Sequence, residues 1–93
     1  MTDKEQLWYL IHGLINGSYD TKTFCSEFSR IYNLETDYKN LTINEYHEFS
    51  KLCEMVDRFS DNIQELKIPN IYYCENDIKS AVQRVVSMLK TDK

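Results

Sequence analysis

The chain has 93 residues, 42% of them hydrophobic, and a formal net charge of -4 from 15 acidic and 11 basic side chains. That length holds one core rather than two, and that apolar share excludes a disordered chain. An acidic balance with scattered Lys and Arg argues against direct nucleic-acid binding, which needs a basic stripe, and favours a basic protein partner.

Two glycines and one proline are too few for the many turns of an all-β fold. The expected class is all-α, a compact antiparallel four-helix bundle formed by residues 1–93 as a single domain. The start, MTDKEQLWYL, carries acids and lacks a basic leader region. The apolar run from Leu7 to Ile15 is interrupted by His12 and Gly13 and is too short for a membrane. The expectation is therefore a cytoplasmic protein with no membrane contact.

The first helix is predicted over about Asp3 to Asn16, capped by Thr2 or Asp3. Leu7, Leu10, Ile11, Leu14 and Ile15 share its buried face, flanked by Trp8 and Tyr9. Gly17 suits the left-handed position after a helix end. Asp20 then caps a second helix reaching about Asn33, with Phe24, Phe28 and Ile31 inward and Cys25 and Tyr32 beside them. Leu34 to Leu41 reads as a loop, pinned by Tyr38 and Leu41.

The third helix is predicted over Thr42 to Asn62, with Thr42 and Glu45 at capping-box spacing. Tyr46, Phe49, Leu52, Cys53, Val56 and Ser60 recur at helical spacing and form its core face. Glu54, Asp57 and Asp61 follow the same spacing on the flank, as a stripe of carboxylates. Asp57 and Asp61 repel each other there, and Arg58 is placed to pair with Glu54. The stripe is either a solvated face or a docking surface for a cationic partner.

Pro69 bars a helix through Ile63 to Tyr73, and Asn70 favours a turn. Ile63, Leu66, Ile68 and Ile71 suggest a loop lying against the body. Tyr72 and Tyr73 either pack or take part in an interface, where tyrosine is enriched. The last helix is predicted from Glu75 to Lys90, burying Ile78, Val82, Val85, Val86 and Leu89 around Ala81. Thr91 to Lys93 are expected to fray.

Chemistry-bearing motifs are missing. The chain has no Gly-rich phosphate loop, no HExxH and no GxSxG. His12 and His47 fall on different helices. Cys25, Cys53 and Cys74 are widely spaced without a CxxC pair, so no metal site and no cofactor are expected. Cys25 and Cys53 read as small buried hydrophobes. No catalytic residues are assigned, and a binding module is expected rather than an enzyme.

The order of features from Asn16 to Lys90 resembles the colicin D immunity protein family. The run from Gly17 to Phe24 is similar to that family's Gly-polar turn, and Glu27-Phe28 to the EF pair of its second helix. Val56-Asp57-Arg58-Phe59 resembles the acidic-Arg-aromatic close of its third helix, and Ile71 to Lys90 its last helix. Cys74 departs from the pattern, standing where relatives place an acidic or capping residue. The resemblance implies a four-helix bundle that neutralises a cognate bacterial ribonuclease toxin, of the kind that cuts transfer RNA. Such toxins are delivered by colicins or by contact-dependent growth inhibition systems. It implies further that acidic side chains fill the toxin's basic cleft in a 1:1 complex. Asp57 matches the family's toxin-contacting acid. Asp61 lies near a second one, shifted by a residue, and Glu54 joins them from its place in the stripe. The alternative is a regulatory adaptor or antitoxin-like module acting on another basic protein.

Overall fold

Thr2 opens the first helix of the computed structural model, which describes residues 2–90. Its side chain accepts the Glu5 backbone N–H at 3.1 Å, while the Glu5 carboxylate accepts the Thr2 N–H at 3.1 Å. This capping box starts α1, Asp3–Ile15. Gly17 follows at φ 77, the left-handed turn predicted for it. The Asp20 carboxylate accepts the Thr23 N–H at 2.8 Å and starts α2, Thr21–Arg30. α2 does not stop at Asn33. It widens into a π-helical turn, Ile31–Glu35, closed by the Thr36 hydroxyl donating to the Ile31 carbonyl at 2.8 Å.

The predicted loop carries a 3-10 turn, Tyr38–Asn40, and is pinned as expected. The Tyr38 hydroxyl donates to the Tyr32 carbonyl at 3.0 Å, and Leu41 packs on the core. Thr42 and Glu45 form the second capping box and start α3, Ile43–Asp57. A one-turn helix follows, α4, Ile63–Leu66, and then α5, Glu75–Lys90. The regular elements among the described residues are thus all helices, apart from one isolated bridge between Phe59 and Tyr73. The expected fraying of 91–93 lies outside the described residues.

One continuous core joins α1, α2, α3 and α5. It contains Leu7, Ile11 and Leu14, then Phe24, Phe28 and Ile31, then Phe49, Leu52 and Val56, then Ile78, Val82, Val85 and Leu89. Phe28 stacks with Tyr32 and meets Phe49 edge-on at a centroid distance of 6.0 Å, so aromatic packing fills the centre. α4 supplies no buried residue. The radius of gyration is 13.0 Å, close to the ~12 Å expected for a folded chain of this length.

Four expectations are corrected. First, α3 ends at Asp57 rather than Asn62. Arg58 leaves the helix at φ -108, ψ 13, and the chain pairs with the segment ahead of α5 instead. The Tyr73 N–H donates to the Arg58 carbonyl at 2.9 Å, and the Ser60 N–H donates to the Tyr73 carbonyl at 3.0 Å. Ser60 and Asn62 then use their side chains on local backbone, the competition with helix that these residue types favour. Second, the buried face of α3 keeps Phe49, Leu52, Cys53 and Val56 as predicted, but Tyr46 is 49% exposed and Glu45 and Glu48 are buried in its place. Third, Ile15 is 44% exposed at the end of α1. Fourth, Ile63, Ile68 and Ile71 face outward rather than lying on the body.

The two buried glutamates are interhelical ties. Glu45 receives the Trp8 indole N–H at 2.9 Å and pairs with Lys4 at 2.9 Å, joining α3 to α1. Glu48 pairs with Arg84 at 3.1 Å, joining α3 to α5. Burial without such partners would be costly for a carboxylate. Among the described residues no helix is long and apolar enough to cross a membrane.

Candidate functional site: an acidic cleft beside α3

Asp57 closes α3, and its carboxylate is positioned by α2. The Ser29 hydroxyl donates to Asp57 Oδ1 at 2.6 Å, and Asn33 Nδ2 donates to Ser29 Oγ at 3.2 Å. The Cys53 thiol sits 3.7 Å from Asn33 Oδ1 and 3.9 Å from Asp57 Oδ2, closing a small polar ring. Asn33 reaches Ser29 from the π-helical turn, four residues further along the chain. Asp57 is therefore held in place while remaining exposed.

Beyond Asp57 the chain turns and, together with α2, lines an open cleft of about 450 Å³. Asp57, Asp61 and Glu65 supply three carboxylates to it. Val56, Cys25 and Phe59 form its apolar side, and Lys22, Ser26 and Ser29 line it from α2. Ser60 Oγ donates to Glu65 Oε1 at 2.5 Å, which fixes Glu65 relative to the turn. Three carboxylates facing one lysine leave the cleft anionic.

The expected stripe is only half assembled. Asp57 and Asp61 do line one cleft, but Asp61 reaches it from the turn after α3 and not from the helical register predicted. Glu54 is exposed one turn back on α3 and does not line the cleft. The predicted Glu54–Arg58 pair does not form; Arg58 stands at the C-cap of α3, where the backbone has left helical geometry. Tyr73 is half-buried, packs against the core and carries the bridge to Phe59. Tyr72 is half-buried. Sequence reading missed Glu65, Ser29 and Asn33. Glu65 had a local signal, since Asn62 precedes it at N-cap spacing. Ser29 and Asn33 had none, because their partners lie on another helix.

Compared with known protein families, curated proteins and solved structures, the chain matches none. What the cleft can do is therefore read from its geometry. Asp57 affects two neighbouring thiols. Burial, and then the Asp57 charge, push the Cys25 thiol up to about 12. The same two causes push Cys53 up to about 11. Both thiols stay protonated at neutral pH and are poor nucleophiles. Among the described residues no group of three His, Cys, Asp or Glu side chains is placed to hold a metal ion. The cleft presents three carboxylates beside an apolar wall, open to solvent, with Asp57 and Glu65 held by hydrogen bonds.

Proposed function

We propose that this protein is an immunity protein that binds a cognate bacterial ribonuclease toxin domain and occludes its basic active-site cleft. The observation that carries the reading is the convergence of Asp57, Asp61 and Glu65 on one open cleft. A nuclease must grip phosphates with Lys and Arg, so its site is complementary to such a surface. Paired charges across a desolvated interface couple by ~1.5–7 kcal/mol, and their long-range field raises the association rate. The net charge of -4 adds to that steering.

In this proposal the scaffold is an antiparallel four-helix bundle of α1, α2, α3 and α5, with α4 as a one-turn insertion that shapes the cleft. The protein acts as a binding module, in a cytoplasmic 1:1 complex, and not as an enzyme. The resemblance to the colicin D immunity family supports the toxin class, and Asp57 is the residue common to that resemblance and to the cleft.

The test is calorimetry against the toxin domain encoded directly upstream of this protein's gene. Asp57→Lys is expected to weaken binding at least roughly tenfold with an unchanged circular dichroism spectrum. Wild-type affinity in that variant would overturn the assignment of the cleft.

A further inference from the structure

The stretch that leads away from the cleft turns three large aliphatic side chains to solvent. Ile63 is 71% exposed, Ile68 44% and Ile71 47%. Single exposed aliphatics are ordinary, but a group of them on one short segment marks a contact surface. The segment is also fixed. Asn62 Oδ1 caps α4, accepting the Gln64 N–H at 2.8 Å. Asn70 holds the left-handed conformation at φ 63 after Pro69. The bridge between Phe59 and Tyr73 ties both ends of the segment to the body. A binding surface built this way loses little entropy on association.

Along the chain the isoleucines alternate with carboxylates of the acidic cleft, though none of the three lines it. Glu65 stands on α4 between Ile63 and Ile68 and lines that cleft, and Asp61 does so just before α4. Lys67 is the one basic residue between Asp61 and Tyr73. We propose that the Ile63–Ile68–Ile71 ridge docks a cationic protein segment carrying apolar side chains. The carboxylates orient that segment and the isoleucines retain it. This deepens the reading of the cleft and rests on it: charge sets the association rate, while buried apolar anchors set the dissociation rate.

The experiment uses the intact, isotope-labelled protein and three short synthetic peptides: lysine–leucine amphipathic, lysine–serine of equal charge, and glutamate–leucine amphipathic. Backbone amide shifts map each binding site. The lysine–leucine peptide is expected to perturb Asp57 to Ile71 and to bind about tenfold more tightly than the lysine–serine peptide. Ile63→Ser and Ile71→Ser are each expected to remove most of that advantage; the melting temperature is expected to stay unchanged for Ile63→Ser, whose side chain is largely in water, and to fall only modestly for Ile71→Ser, which is half covered. Equal binding of the two lysine peptides at the cleft would overturn the ridge and leave the cleft intact. Equal binding of the glutamate–leucine peptide would overturn the cationic partner. Shifts confined to other surfaces would overturn both the ridge and the cleft.

Discussion

Trp8 and Glu45 meet across α1 and α3, with the indole N–H donating to the carboxylate at 2.9 Å. The two residues are 37 positions apart in the chain, and Glu45 is 6% exposed. Glu45 also accepts the Thr42 N–H at 2.9 Å and pairs with Lys4. One side chain thus caps α3 and fastens it to α1. Glu45→Ala removes the cap's partner and leaves a half-buried indole N–H without an acceptor. A loss of ~2 kcal/mol is expected, a fall in melting temperature of roughly 10 °C, read by thermal circular dichroism.

The same carboxylate makes stability depend on pH. Burial would raise its pKa, but the Thr42 backbone N–H, the Trp8 indole and Lys4 outweigh burial and hold it below its ordinary 4.5. The folded state therefore holds its proton less tightly than the unfolded chain does. Its contribution is complete above about pH 4.5 and is lost as pH falls through the lower folded value. Asp20, held down by its hydrogen bonds to Thr23, acts in the same direction. Urea titrations across the acid range are expected to show stability falling below the ordinary carboxylate pKa. Glu45→Gln is expected to flatten that slope.

Gly13 and Tyr19 form a second tight contact. A Cβ on Gly13 would lie 2.5 Å from the Tyr19 ring. The ring is held there by its hydroxyl, which donates to the carbonyls of Tyr9 and Leu10. Gly13→Ala displaces the ring, and the expected cost of ~1–2 kcal/mol exceeds the ~1 kcal/mol of helix propensity gained. In a Tyr19→Ala background the sign should reverse, with Gly13→Ala stabilising. A double-mutant cycle in urea measures this coupling.

The three thiols should react in a fixed order. Cys25 and Cys53 are buried and raised to about 12 and about 11. Cys74 is only half-buried at the start of α5. At pH 8 a single alkylation, at Cys74, is expected in the native protein, against three in denaturant. Mass spectrometry of the labelled peptides decides it.

Ser29 is expected to matter through Asp57. Ser29→Ala frees the carboxylate from its 2.6 Å hydrogen bond and should weaken partner binding roughly fivefold, less than Asp57→Lys does. Restoration by Ser29→Thr, measured by the same calorimetry, would separate positioning of Asp57 from simple loss of packing.

The starts of α1, α2, α3 and α5, the left-handed turn at Gly17 and most of the core were legible in the residues alone, whereas α4 stands where a loop was predicted. Thr2, Asp20 and Thr42 act on backbone groups three residues away, and Phe24, Phe28, Ile78 and Val82 repeat at helical spacing. Such signals lie within one helical turn and need no knowledge of the fold. The end of α3 was not legible, because the pull on Arg58 and Ser60 comes from Tyr73, across an intervening turn and α4. Nor was the burial of Glu45 and Glu48, whose partners Trp8 and Arg84 stand on other helices. The anionic cleft has the same origin. Charge pattern alone set Asp57 and Asp61 on one helix, whereas chain reversal after Asp57 delivers Asp61 and Glu65 from a separate segment. Local spacing decides which residues form helices; only packing between distant segments decides which carboxylates share a surface.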